Sequence, residues 1–338
     1  MGAEGCWRMP SPTHIHIQNR REDGASAITA AMVEAAAARA GEPPGAQRFT
    51  VADDDRGFAE AMATAEVLVT SAAELRARFP APAPRLRWVM ATSAGLDSLA
   101  PFDMLPPAVR LLNNSGAHAP KAGEWGLMAV LMLLNRLPAL VTSQRLERWE
   151  RLRGRTASGR TVVIVGLGDL GGTVAAQCAR LGMTVLGCSA RGTPHSACAC
   201  VVTPERLDTV LPGADVLVLA MPLTPATRGM ITRGLLSLLP LHAGVVNMAR
   251  GAVLDQDALC DLLEAGRLSG AVLDVFDPEP IPPGHRLWRT PNLVISPHVS
   301  CDDPDTYMPR TLDLLFRNLA AWREGRPMPN EVDRARGY

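Results

Sequence analysis

The sequence has no surplus of charge of either sign: Lys+Arg and Asp+Glu both number 34, and the formal net charge is zero. Nucleic acid and anionic membranes select proteins with a basic excess, so neither is an expected partner. Cysteine is sparse and unpatterned. Cys6, Cys178, Cys188, Cys198, Cys200, Cys260 and Cys301 make an odd count at irregular spacing with no CxxC pair. Neither a disulfide framework nor a zinc site is indicated, and a reducing, cytoplasmic compartment fits. Cys198-Ala199-Cys200 comes nearest to a metal motif; it reads as a surface loop, and no metal is expected. The first dozen residues, MGAEGCWRMPSP, lack the apolar stretch of a signal peptide. Cys6 stands where a myristoylation motif needs Ser or Thr. That segment reads as a flexible tail. The longest apolar run, around Gly126–Leu134, is too short to span a bilayer.

What remains is a globular composition, 47% hydrophobic and 20% charged over 338 residues, long enough for two cores. Thr13–Gln18 alternates polar and apolar residues, which predicts a strand with His14 and His16 on a solvated face. Ser26–Ala40 is Ala-rich, with Ser26 as N-cap and Gly41 as stop, and predicts a helix. Further strands are expected near residues 48–52, 66–71, 87–92 and 109–113, with helices between several of them. Alternating strands and helices predict a small α/β domain with a mostly parallel sheet. Pro80–Pro84 reads as a short linker. Residues 120–140 predict one long helix crossing between domains. Residues 145–160, RLERWERLRGRTASGR, form a basic polar arm, either solvated or a dimer contact around Trp149. A second series follows, with strands expected at 161–165, 184–189, 216–220, 244–247, 270–275 and 292–296. A long helix from Asp305 to Trp322 is expected to return the chain to the first domain.

The first strand of the second series runs into Gly166-Leu167-Gly168-Asp169-Leu170-Gly171. In this G-x-G-x-x-G pattern Gly166 permits the tight turn, Gly168 admits a pyrophosphate, and Gly171 lets helix and strand pack closely. The following helix offers its N–H groups and positive dipole end to the phosphates. The end of the next strand selects the cofactor. Where an NAD site places a carboxylate for the ribose hydroxyls, this chain has Cys188-Ser189-Ala190-Arg191. Ser189 can hydrogen-bond and Arg191 can hold a 2′-phosphate, so NADP is favoured over NAD. The alternative is an Arg191 that points to solvent.

Three later segments each end an expected strand, where α/β sheets bind ligands. They carry Arg250 in NMARGAVLD, Glu279 in LDVFDPEP and His298 in VISPH. Singly, these residues read as an ordinary ion pair, a turn and a structural histidine. Together they suit reduction of a ketone. Arginine holds a carboxylate with two parallel bonds, histidine titrates near neutral pH, and a neighbouring carboxylate raises the imidazole pKa and fixes its tautomer.

From about Arg87 to Tyr338 the chain resembles the D-isomer-specific 2-hydroxyacid dehydrogenase family, in the manner of its glyoxylate/hydroxypyruvate reductases. The carriers are GLGDLGG, Met221-Pro222-Leu223-Thr224 with Thr227, NMARGAVLD, LDVFDPEP and SPHVS. The first 85 residues match only in strand–helix rhythm. The resemblance implies two Rossmann-like or flavodoxin-like α/β domains with doubly wound parallel sheets and a cleft between them. The substrate domain would comprise residues 1–118 with 300–338, and the NAD(P)-binding domain residues 119–299. It implies a catalytic Arg250, Glu279 and His298, with His298 as acid/base, Glu279 as its pKa partner and Arg250 as substrate anchor. The Ser93–Leu96 backbone, through Ala94 and Gly95, would grip the substrate carboxylate. Asp169, Leu170, Pro222, Thr227, Met248 and Ala249 would line the cofactor, and Asp274 would meet the nicotinamide amide. The substrate would be a small 2-oxo or 2-hydroxy acid of D configuration, and the assembly a homodimer.

Three departures are visible. The usual acid after the second strand is missing. His298 is followed by Val-Ser-Cys-Asp-Asp instead of an Ala/Gly-rich run. The chain ends soon after the returning helix, so no regulatory domain is expected. Two rival functions remain: a nucleotide-sensing interaction protein of the corepressor type, and a dehydrogenase of another small anion such as phosphite.

Overall fold

The computed structural model describes residues 12–337; the expected tail lies outside them, apart from Pro12. The chain divides into two compact units. One is the chain up to Ala117 together with the segment from Pro304 onward, and the other is His118–Asp303.

In the first unit, β1 (Thr13–Gln18), β2 (Gln47–Ala52), β3 (Val67–Thr70), β4 (Trp88–Ala91) and β5 (Arg110–Leu112) form a fully parallel sheet. The order β2-β1-β3-β4-β5 is that of flavodoxin-like folds. Strand side chains alternate between faces. Ile15, Ile17, Val67, Val69, Trp88 and Met90 pack with α1 (Ala30–Arg39) and the C-terminal helix Tyr307–Arg323. Leu68, Val89, Ala91 and Leu111 face α2 (Asp55–Met62) and α3 (Ala72–Arg78).

Two expectations fail in this unit. His14 and His16 are buried, not solvated, because Phe58 of α2 covers their face of β1. Burial is tolerated because each ring nitrogen has a partner. With Gln18 Oε1 as acceptor the order is fixed. Thr64 donates to His14 Nδ1 (3.0 Å), His14 Nε2 to Thr50 Oγ1 (2.9 Å), Thr50 to His16 Nδ1 (2.8 Å), and His16 Nε2 to Gln18 (3.1 Å). Burial lowers the pKa of both imidazoles, which favours the neutral rings that this order requires. The first helix begins at Ala30, not at Ser26: Thr29 is its N-cap, its hydroxyl accepting from the Met32 amide at 3.3 Å.

The second unit carries seven parallel strands: β6 (Thr161–Val165), β7 (Thr184–Cys188), β8 (Cys200–Val202), β9 (Val216–Leu219), β10 (Gly244–Asn247), β11 (Gly270–Leu273) and β12 (Leu293–Ile295). Their order is β12-β11-β10-β9-β6-β7-β8. Direction of progression reverses between β6 and β9, the switch point at which such sheets bind nucleotides. Apolar runs without alternation mean that both faces are covered. Val162, Ile164, Val216, Val218 and Val246 pack beneath α4 (Ala119–Leu134) and α6 (Asp169–Arg180), while Val163, Val165, Leu217 and Val245 pack toward α7 (Arg233–Ser237) and α8 (Gln256–Glu264).

The single helix expected over 120–140 is two: α4 ends at Leu134 and α5 runs Leu137–Arg145, with Arg136 left-handed between them at φ 58. Pro138 explains the break, since its ring would clash with the carbonyl four residues earlier. That carbonyl, on Leu134, instead accepts the Arg155 amide at 2.9 Å. Among the described residues no single helix is long and apolar enough to cross a membrane. α4 and α5 qualify only as a pair bent by 64°, and α4 buries Ala122, Ala129 and Val130. The Cys198–Cys200 loop is also not a loop throughout, because Cys200 opens edge strand β8. Among the described residues no three His, Cys, Asp or Glu side chains are placed to hold a metal. In the basic arm, Trp149 is 97% exposed. The C-terminal helix of the first unit is α9.

Candidate active site

The glycine turn is shaped by contacts that only glycine permits. Gly166 leaves β6 at φ 92, and a Cβ there would lie 2.6 Å from the Met221 amide nitrogen. A Cβ on Gly171 would lie 1.8 Å from the Gly166 carbonyl oxygen, so α6 rests directly on the turn. Around Gly168, by contrast, a Cβ would meet nothing within 4 Å, and no side chain caps the start of α6. A helix N-terminus facing such space is an anion site. At the end of β7, the buried Ser189 hydroxyl has no hydrogen-bond partner among the described residues. Open space at Gly168 and an unsatisfied donor at Ser189 fit a dinucleotide. Arg191 is exposed.

The strand beside β6 supplies the opposite wall. Beyond β9, Thr227 Oγ1 donates to the Pro222 carbonyl at 2.7 Å and accepts the Thr224 amide at 2.8 Å. The Thr227 hydroxyl therefore braces the Met221–Thr224 loop from within. Met248 and Ala249 are buried, with the Met248 amide bonded to the Leu219 carbonyl at 3.1 Å.

Parallel register brings the remaining segments to one sheet end: Asn247 pairs with Leu273, and Leu273 with Ile295. Arg250, Asp274 and His298 follow these strand ends within three residues. Asn247 shapes the first segment, its Oδ1 accepting the Ala249 amide (3.0 Å) and its Nδ2 donating to the Arg250 carbonyl (3.0 Å). The Arg250 guanidinium donates to the Ala249 carbonyl at 2.7 Å. Gly251 then passes against the next segment, where a Cβ would lie 1.9 Å from the Phe276 carbonyl carbon. Gln256 grips the same loop, donating to the Asp277 carbonyl (2.7 Å) and accepting its amide (3.3 Å). The loop so held presents Glu279, whose Oε2 accepts the Phe276 amide at 3.3 Å.

Glu279 Oε1 accepts from His298 Nδ1 at 2.6 Å. That bond fixes Nε2 as the nitrogen available to a substrate. Both side chains remain partly exposed, 47% for His298 and 36% for Glu279. His298 itself is left-handed, at φ 56. This conformation is uncommon outside glycine and persists where surroundings impose it. Asp274 imposes it. Fully buried, its carboxylate accepts Ser296 Oγ (2.6 Å), the Val299 amide (2.9 Å) and the Ser300 amide (3.0 Å), while its carbonyl accepts the His298 amide (2.8 Å). On the far side, His118 Nδ1 donates to the Cys301 carbonyl at 3.1 Å. Burial pushes the His118 imidazole below its usual range, against the opposing effects of its bond to the Cys301 carbonyl and of the Asp302 charge.

Arg250, Glu279, Asp274 and His298 thus share one end of one sheet. Ala94 and Gly95 belong to the other unit. Their loop follows β4 and is anchored there by buried Asn114, whose amide donates to the Ser93 carbonyl (3.0 Å) and whose Nδ2 donates to Thr311 Oγ1 (2.7 Å). Gly251, Gln256 and His118 were missed in the sequence. The glycine after Arg250 was a visible signal; the other two show their parts only through tertiary neighbours.

Residues 127–300 match the family model described as D-isomer specific 2-hydroxyacid dehydrogenase, NAD binding domain. An uncharacterized protein in the proB 3′ region of Corynebacterium melassecola is 30% identical over 263 residues, covering 77% of this chain and 86% of that protein. The fold is similar to that of a D-isomer specific 2-hydroxyacid dehydrogenase from Xanthobacter autotrophicus Py2, solved with NADPH and MES. That likeness has a TM-score of 0.78 and 29% identity, covering 97% of this chain and all of the other. It is similar as well to an NADPH-dependent glyoxylate/hydroxypyruvate reductase from Sinorhizobium meliloti, solved with NADP and sulfate (TM-score 0.78, 26% identity, 96% of this chain and 100% of the other).

Proposed function

Because the chain belongs to the D-isomer specific 2-hydroxyacid dehydrogenase family and is an NAD(P)-dependent oxidoreductase, we propose that it reduces a small 2-oxo acid to the D-2-hydroxy acid with NADPH, using Arg250, Glu279 and His298. The observation that carries this is the 2.6 Å His298–Glu279 pair, held at the strand ends of a nucleotide-binding sheet. Glyoxylate and hydroxypyruvate are the first substrates to try, as the Sinorhizobium meliloti protein is named for them.

When bound, the reduced nicotinamide supplies a hydride to the carbonyl carbon. His298 Nε2 would supply the proton to the carbonyl oxygen, while Glu279 holds the opposite nitrogen and with it the orientation of the ring. Arg250 pairs with the substrate carboxylate. Asp169, Leu170 and Gly168 would meet the pyrophosphate; Pro222, Thr227, Met248 and Ala249 would line the dinucleotide, with Asp274 toward the nicotinamide amide. Ser189 and Arg191, in place of an acidic residue, favour NADP over NAD. NADPH and NADP in the two similar structures support that choice. A homodimer in the cytoplasm, with exposed Trp149 in its contact, completes the proposal.

The test is oxidation of NADPH and of NADH across a panel of 2-oxo acids. Turnover faster with NADPH on at least one small 2-oxo acid is expected. No turnover on any, with either cofactor, would reject the activity.

A further inference from the structure

Between β7 and β8 the chain makes an excursion that the proposed reaction leaves unexplained. Gly192, at φ 62, turns it back on itself, with its amide bonded to the Ser189 carbonyl at 3.1 Å. The returning segment lays the His195 imidazole on the first turns of α6. A Cβ built on Gly172 would lie 3.0 Å from His195 Nε2, so the second glycine of the Gly171-Gly172 pair makes room for this ring. The two glycines thus serve different neighbours, the first the strand turn and the second the imidazole.

The ring is fixed in orientation as well as in place. The Ala197 amide donates to His195 Nδ1 at 3.2 Å, and Cys198 Sγ lies 4.0 Å from the same nitrogen. A neutral imidazole that accepts at Nδ1 carries its proton on Nε2. Nε2–H is therefore a donor in the neutral ring, and Nε2 lies beside Gly172 in the first turn of α6. Beneath it, Gly187 of β7 admits both Leu167 and Cys198, which wedge the excursion against the turn. Ser189, with its unsatisfied hydroxyl, and Arg191 begin this same excursion.

We infer that His195 is a third reader of the cofactor 2′-phosphate beside Ser189 and Arg191, and hence a determinant of the preference for NADPH. This rests on the NADP preference proposed above. The ring Nε2–H donates to a phosphate oxygen, and the fixed tautomer supplies that donor before the cofactor arrives, so little ordering accompanies binding. Gly172 belongs to the same device, since a Cβ there would press on the ring at 3.0 Å and make it give way.

The experiment is calorimetric titration of the full-length protein with 2′,5′-ADP and with 5′-AMP, fragments differing only in the 2′-phosphate. Wild type should bind 2′,5′-ADP more tightly. His195→Ala should weaken 2′,5′-ADP about tenfold and leave 5′-AMP within about twofold, the loss of one charge-assisted hydrogen bond. His195→Gln, which keeps an N–H donor, should recover most of that loss and guards against a variant that merely fails to fold. If His195→Ala retains the preference while Arg191→Ala abolishes it, NADP stands and the role of His195 is overturned. If His195→Ala weakens both fragments equally, the ring only holds the loop, and the inference fails. Equal affinity of wild type for the two fragments would reject the NADP preference itself.

Discussion

Glu279 and His298 stand 19 residues apart in the chain, yet Glu279 Oε1 accepts from His298 Nδ1 at 2.6 Å. The bond does two things for a proton donor: it orients the ring and places a negative charge beside it. Glu279→Gln keeps the size but removes the charge. A fall in kcat of roughly 10- to 100-fold is expected, with a smaller change in KM, within the range that general acid–base catalysis supplies. Steady-state kinetics on an accepted 2-oxo acid check it, and an unchanged kcat would remove Glu279 from the mechanism.

Gly168 and Gly171 should respond in opposite ways to the same added methyl group. Gly168→Ala meets nothing within 4 Å, whereas Gly171→Ala places its Cβ 1.8 Å from a backbone oxygen. Gly168→Ala is expected to keep the wild-type Tm and weaken NADPH binding about tenfold or more. Gly171→Ala should lower stability by about 3 kcal/mol or more, as strained backbone displacement does. Thermal melts and cofactor titration separate the two, and similar melts for both variants would be inconsistent with this packing.

Asp274→Asn tests the clamp on the His298 segment. The carboxylate accepts two amides and a hydroxyl, and an asparagine turns an NH2 group toward some of these donors. A loss of about 1–3 kcal/mol is expected from the buried donors left unsatisfied. The turnover should fall further than that of wild type measured at a matched distance below its Tm, because His298 is released from its left-handed conformation. A variant with lowered Tm and normal kcat would limit Asp274 to stability.

Much of this was legible in the strands themselves. Runs such as Val162–Val165 and Val216–Leu219 are apolar on both faces, and glycine follows β6 where a dinucleotide needs it. What the chain did not disclose depends on neighbours distant in sequence. His14 and His16 alternate with Ile15 and Ile17 like any solvated face, and only the packing of α2 buries them. Three-residue β8 is too short for a periodic signal. The break at Arg136 is signalled by Pro138, whose ring bars the Leu134 carbonyl from a helical bond. Gln256 and His118 position the site through backbone carbonyls, which no residue pattern records.

Those buried histidines make stability depend on pH. Burial is the largest cause lowering His14, His16 and His118 below the ordinary imidazole value of 6.5. The unfolded chain takes up protons near pH 6.5 that the folded chain refuses, so stability falls on acidification through that value. Tm should drop between pH 7.5 and pH 5.5, above the range where the carboxylates titrate. His16→Gln, which removes one of these groups, should reduce the slope. A Tm that is flat or rises on acidification over this interval would contradict the burial of these rings.

The most direct test of the central claim is turnover of glyoxylate and hydroxypyruvate with NADPH by wild type, His298→Ala and Arg250→Ala, each shown to be folded by its melt. Wild type should turn over at least one of the two. His298→Ala should lose about 100-fold or more in kcat, and Arg250→Ala should lose about 100-fold or more in kcat/KM. Near-wild-type turnover by either variant would contradict the assignment of the proton to His298 or of the carboxylate to Arg250.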